Sequence, residues 1–302
     1  MDFWVPLDVG VSTGLIYAWP VIALAIAFRV LAFPDITIEG SFPLGAATFG
    51  VLVKNGVPAP LAVFAGVSAG AAAGCLTAYF HVRFRINKLL AGIIVVAITY
   101  TMSLRIMGAS NLGLLEQPSV FNLVQGWDHF AAGRFHAGTL LLLGSLAIIV
   151  CVAAAASLST RPGLRLRVAG ANPEYARLLG IHVPANMVVG LALTNGLAAM
   201  GGILAAMNQG FADVGMGQGI LILALAAITI GERLVPAKRL SYQSYVLLAA
   251  LSGAVLYEVL VNYALRLGLA ATDLKLATAV LVLLVISLRA TKNGQLFLED
   301  MK

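Results

Sequence analysis

Charge is scarce in this chain: Asp, Glu, Lys and Arg make up 11% of its 302 residues against 60% hydrophobic, where a soluble domain carries about 25% charged and 45–50% apolar residues. That deficit excludes an ordinary soluble globular domain. Cysteine is almost absent too. Cys75 and Cys151 both fall inside apolar runs, which points to small packing residues and not to a disulfide or metal pair. No G-x-x-x-x-G-K-[ST] occurs, so no P-loop cradles phosphate and the chain does not hydrolyse ATP alone. The four histidines, His81, His129, His136 and His182, lie in expected loops or at helix ends, and no convincing metal cluster or nucleophile with its base accompanies them. A cleavable signal peptide is not expected, because "MDFWVPLDVG" lacks a basic n-region and runs directly into a span.

What is present is a series of apolar runs, such as Leu61 to Phe80 and Gly138 to Leu158, that reach the ~20 residues needed to cross a ~30 Å hydrocarbon core as helix. The ~10-residue alternation of a membrane β-barrel is missing. The expected fold class is all-α, a polytopic transmembrane bundle of eight to ten spans or half-spans forming one domain over residues 1–302. Helices are expected at 9–32, 41–53, 60–80, 89–109, 138–158, 185–207, 218–233, 243–265 and 273–289. Thirteen of the 19 Lys and Arg residues fall in "HVRFRINK", "RPGLRLRVAG" with Arg177, "ERLVPAKRL" and the tail after Leu288. One threading puts all of these loops in the cytoplasm, as the positive-inside rule asks. The net charge of +6 thus reports topology, and nucleic acid is not expected as a partner.

The second segment is the anomaly: at about 13 residues it covers only ~20 Å. The stretch before it, "FPDITIEGSFPLGA", places Pro34, Asp35, Glu39, Gly40 and Pro43 where membrane helix would otherwise continue. Pro34 disfavours a helical Phe33 and Gly40 permits an exceptional backbone, so the helix is expected to break and restart with Ser41 as its cap. An ionised carboxylate within the membrane faces protein or a water-filled path. Asp35, Thr37, Glu39, Ser41 and Asn195 are therefore the candidates for a translocation pathway. The plainer alternative has Asp35 and Glu39 capping helix ends. The stretch 33–50 resembles "FADVGMGQGILILALAAITIG" at 211–231 in its Phe-x-Asp, glycine and short apolar segment, and 88–105 resembles 275–289. The order is preserved and the two copies point in opposite directions, the arrangement of an inverted repeat.

"GVSAGAAAG" repeats glycine at 66, 70 and 74, a seam along which another helix approaches closely. The same letters match the nucleophile elbow G-x-S-x-G, but Ser68 would sit in mid-helix without the strand-turn context which that reading demands.

Residues 159–184 form the largest expected cytoplasmic loop. Within it Asn172 caps a short helix with Pro173 at its first position, Glu174 in its first turn and Gly180 at its end. Tyr175, Leu178 and Leu179 make one apolar face, suited to docking in a partner's groove. The run from Asn172 through Glu174, Ala176, Arg177 and Gly180 to Ile181 resembles the coupling-helix signature of ABC importer permeases of the branched-chain amino acid and ribose permease superfamily. "FPDITIEGSF", "NKLLAGIIVVAITYTMSLRIMGASN", "LALAAITIGERL" and "DLKLATA" resemble blocks of its single-permease subgroup, often assigned to aromatic amino acids or left uncharacterised. "LYEVLVNYAL" departs from that pattern, with Glu258 where a basic residue is expected.

The resemblance implies a permease subunit moving a small, amino-acid-like solute across the bacterial inner membrane by alternating access. It implies a second permease copy as a homodimer, two copies of an ATPase subunit that carry ATP and Mg, and a periplasmic or lipid-anchored solute-binding protein. Residues 172–180 would couple to the ATPase, and the outer loop with Trp127, Asp128 and Arg134 would receive the binding protein. No cofactor is expected on this chain. An ion-coupled secondary transporter and an ABC exporter of the same fold remain open at this point.

Overall fold

The computed structural model describes residues 4–117, 119–123, 136–236 and 240–268, together with Asp273, Leu276 and Val280. Ten α-helices and one two-stranded ladder make up these residues. In chain order, α1 (Trp4–Ala25) continues as a π-helical turn over Ile26–Val30, and then come α2 (Ile38–Lys54), α3 (Ala59–Phe84) and α4 (Lys88–Met107). Strand β1 (Asn111–Gly113) and a 3-10 turn (Val120–Leu123) precede α5 (Ala137–Ser159), α6 (Arg161–Ala171), α7 (Pro173–Leu178) and α8 (Val183–Gln209). Strand β2 (Phe211–Asp213), α9 (Ile220–Leu234) and α10 (Tyr242–Arg266) complete it.

Among the described residues, six helices are long and apolar enough to cross a membrane: α1 with its π turn, α3, α4, α5, α8 and α10. Their expected positions hold to within a few residues, apart from α1, which begins earlier. The expected last span at 273–289 lies mostly outside the described residues. The two short segments are short for a physical reason. With 17 and 15 residues, α2 and α9 extend only about 25 and 22 Å, less than the ~30 Å hydrocarbon core.

Glycine sets how closely the long helices approach. A Cβ at Gly70 would lie 2.3 Å from the Ala199 side chain and one at Gly74 2.1 Å from the Leu191 carbonyl, so α3 lies on α8 along the expected seam. Ser68 is exposed on the opposite side of α3. Likewise Gly10 and Gly14 bring α1 onto the α10 backbone at Val259 and Val255. These two helix pairs are the most extensive in the molecule. Large apolar side chains point outward elsewhere, as with Phe64 on α3 and Ile148 and Ile149 on α5, the inversion expected of a bundle solvated by lipid.

The bundle has two chemically different ends. At one, Arg29 meets Glu232 at 2.6 Å, Tyr242 donates to the Arg29 carbonyl and Lys88 to the Ala32 carbonyl, and α6 and α7 lie across the surface. At the other, β1 pairs antiparallel with β2 (Leu112 opposite Ala212), and Asp8 meets His136 at 2.7 Å.

Residues 161–171 are a correction. Read as part of a loop, they form the amphipathic helix α6, capped by Thr160 and resting on Gly163, Leu166 and Ala169. Gly170 allows it to sit on the end of α1, since a Cβ there would lie 2.1 Å from the Val30 carbonyl. The cysteines are free thiols.

Candidate functional site

The broken segment begins where the α1 ladder loosens into a π turn and Ala32 takes a left-handed conformation, φ 48°. Ala32 therefore supplies the exceptional backbone expected of Gly40, at a conformational cost for a residue with a Cβ. Gly40 lies inside α2 and serves closeness: a Cβ there would sit 2.1 Å from the Thr99 hydroxyl on α4. Ser41 is not the cap either. The helix starts a turn earlier, at Ile38, because the Asp35 carboxylate accepts the Thr37 N–H at 2.9 Å and closes a local turn.

Four of the five expected residues come together in one buried network. The Asn195 amide on α8 donates to the second Asp35 oxygen at 2.6 Å and to the Leu191 carbonyl at 2.9 Å. Ser41 donates to the Asn195 Oδ1 at 2.6 Å. The Thr37 hydroxyl bonds Thr77 on α3 at 2.7 Å, and Thr77 donates to the Ala73 carbonyl. Asp35, Thr37, Ser41, Thr77 and Asn195 are all fully buried. Both Asp35 oxygens and both ends of the Asn195 amide are thus engaged, which is the condition for polar groups to persist in an apolar interior. Thr77 escaped the sequence reading because it stands alone in an apolar run, with no spacing signal.

The fifth residue, Glu39, faces the other way. Its Oε1 accepts the backbone N–H of Gly219 at 3.1 Å and of Leu221 at 3.2 Å, two donors left over at the N-terminus of α9. Gly217 packs against the Glu39 carbonyl with no room for a side chain. From this junction α2 runs toward the ladder end, where Gly50 touches Leu112 and Leu114. Starting at the same place, α9 runs toward the basic end, where Glu232 meets Arg29. Two half-helices with opposed directions therefore meet N-terminus to N-terminus.

Two features accord with the repeat expected for 33–50 and 211–231, while 275–289, the partner of 88–105, lies mostly outside the described residues. Asp213 accepts the Gly215 N–H at 2.7 Å, the same local turn that Asp35 makes with Thr37. The helix pairing is exchanged in the same sense: α3, after the first break, lies on α8, and α10, after the second, lies on α1.

At the ladder end a polar vestibule of about 580 Å³ opens between α1, α5 and the end of α8, lined by Asp8, Ser12, Thr13, Gln117, His136 and Asn208. Glu258, the departure noted above, is buried on α10 at 7% exposure, with Asn262 donating to its carbonyl. Of the other polar residues in spans, Arg29 pairs with Glu232, and Thr99 bonds back to Val95 and Val96. The Ser103 hydroxyl is buried without a hydrogen-bond partner among the described residues.

The short helix at the basic end forms as its sequence asks. Asn172 accepts the Tyr175 N–H at 2.9 Å, and Gly180 is left-handed at φ 72°. Ala176 is fully buried, whereas Tyr175, Leu178 and Leu179 stand 54%, 84% and 55% exposed. Trp127, Asp128 and Arg134 lie outside the described residues.

Comparison with known proteins bears on this arrangement. Residues 7–288 match the model of the family described as branched-chain amino acid transport system, permease component. A tyrosine transport system permease protein of Clostridioides difficile (strain R20291) is 32% identical over 95% of this chain and 92% of its own. An uncharacterised protein of Rickettsia prowazekii (strain Madrid E) is 29% identical over 91% and 94%. The ribose import permease protein of Escherichia coli K12 is 26% identical over 65% of this chain and 60% of its own.

Proposed function

Because this chain belongs to the permease components of branched-chain amino acid transport systems, a multi-pass membrane family of ABC transport, we propose that it is the membrane subunit of an ATP-driven importer for an amino-acid-like solute. The basic end then faces the cytoplasm and the vestibule faces outward, in accord with the positive-inside rule and with a bacterial inner membrane. The observation that carries this reading is the exposed apolar face of α7. Leu178 at 84% exposure, on a doubly capped helix beyond the bundle, is a surface made for a protein groove.

In this proposal an ATPase subunit receives Tyr175, Leu178 and Leu179, and residues Asn172 to Gly180 pass its closure to α6 and α8. ATP and Mg belong to that partner and no cofactor to this chain. A second permease copy completes a homodimer with two ATPase subunits, and a solute-binding protein docks over the vestibule. The 32% identity to a protein named for tyrosine transport supports an aromatic amino acid as the first solute to test. Asp35, Thr37, Ser41 and Asn195 are fully buried here. They take a pathway-adjacent role, holding the broken segment on α8, while Glu39 joins the two half-helices.

Copurification tests this. The chain is expected to retain an ATPase subunit, and Leu178→Asp to lose it while remaining in membranes with unchanged thermal stability. Uptake in vesicles should survive collapse of ion gradients while ATP remains. Wild-type ATPase retention in Leu178→Asp, or uptake abolished by an ionophore alone, would overturn the reading.

A further inference from the structure

A second, smaller pocket lies at the basic end, of about 340 Å³, between the end of α1, the flank of α6 that carries Leu164, Arg167 and Val168, and the start of α10. Its wall contains Arg29, Ala32, Leu164, Arg167, Val168 and Tyr242, and no carboxylate lines it. Arg29 is answered in part by Glu232, yet its Nε is buried without a hydrogen-bond partner. A buried guanidinium donor left unpaired is costly. Arg167 has no ion-pair partner among the described residues, and α6 itself carries Arg161, Arg165 and Arg167 with no acid. The pocket thus combines two guanidinium groups, Arg29 and Arg167, of which only Arg29 has an ion-pair partner among the described residues, with an apolar side at Leu164 and Val168.

Phosphate is the group that answers such a site, since guanidinium donors pair with its oxygens at fixed geometry. We infer that this pocket binds the phosphate of an anionic phospholipid. The membrane-surface position of α6, and the aliphatic residues beside the arginines, select a lipid over free phosphate. Basic pockets between transmembrane helices on the cytoplasmic side hold such headgroups. The site is independent of the solute and of the ATPase surface. It touches Ala32 at the break and the helix that leads into α7, so an occupant stiffens the connection between them.

Native mass spectrometry of the delipidated full chain, titrated with phosphatidylglycerol, phosphatidylcholine or inorganic phosphate, tests this. Phosphatidylglycerol is expected to bind Arg167→Gln at least about fivefold more weakly than wild type, the effect of one surface arginine near a phosphate. Arg29→Lys keeps a charge opposite Glu232 but loses the planar guanidinium that pairs with phosphate oxygens, and is expected to weaken binding similarly. Arg165→Gln, exposed on α6 and outside the pocket, should bind as wild type does. Equal loss in Arg165→Gln would reduce the effect to diffuse surface charge and overturn the site. Equal binding of phosphatidylcholine would overturn it as well, and displacement of the lipid by millimolar inorganic phosphate would overturn the lipid assignment in favour of the free ion. Should Arg29→Lys fail to fold, Arg167→Gln against Arg165→Gln decides alone.

Discussion

The Glu39 carboxylate accepts the Gly219 N–H at 3.1 Å across 180 residues of sequence, placing one negative charge between the positive ends of two oppositely directed half-helices. Glu39→Gln keeps an acceptor but loses the charge that both helix dipoles favour, so a loss of about 1–2 kcal/mol is expected. Glu39→Ala leaves both N–H groups unanswered and should cost more, about 2–4 kcal/mol. Thermal unfolding in detergent measures the order; equal stability of all three proteins contradicts it.

Asp35 and Asn195 make a separable pair. Asn195→Asp sets a second carboxylate 2.6 Å from the first and is expected to destabilise strongly, by several kcal/mol. Combining it with Asp35→Asn restores one charge and one amide, and the double variant should recover much of the loss. The Leu191 carbonyl, which Asn195 now serves, keeps the recovery incomplete. Additive losses in a double-mutant cycle would mean that the two side chains do not act as a unit.

The α3–α8 seam predicts a contrast between glycines. Gly70→Ala must push Ala199 or the Asn195 carbonyl, each within 2.7 Å of the new methyl, and should cost about 1–3 kcal/mol. Gly144→Ala on α5 meets nothing within 4 Å and should be neutral or slightly stabilising, by less than about 1 kcal/mol. Membrane-inserted yield and melting temperature report both.

Gly180 offers a way to disturb α7, the proposed coupling helix, without touching its exposed face. A Cβ there meets no neighbour, but φ is 72°, so Gly180→Val costs about 1–2 kcal/mol locally. ATP-driven uptake should fall while the bundle's main unfolding transition stays in place. Unimpaired uptake would show that the end of α7 tolerates remodelling.

Much of this was legible because the breaks are written in unusual residues. Pro34, Asp35 and the glycines announce a non-helical stretch, Gly66, Gly70 and Gly74 announce a close approach, and Asn172-Pro173 with Gly180 brackets α7. Helix α6 was not legible, since Pro162, Gly163 and Gly170 look like loop residues until the neighbouring backbones they accommodate are known. The partners of Asp35 and Glu39 were hidden for a related reason. A hydrogen bond to Thr37 or Gly219 goes to the main chain, which has no signature in sequence. Ser41 was misplaced because a local serine cap and a distant amide partner look alike from one strand of text.

The three-residue ladder between β1 and β2 has a mechanical corollary. Backbone bonds from Leu114 to Gly210 and from Val214 to Ser110 flank it, so the trailing ends of α4 and α8 are fastened together like the two arms of a clasp. Tilting either drags the other, and the vestibule's mouth cannot widen along that side. Dilation there falls to α1 and α5, which meet across it through Asp8 and His136.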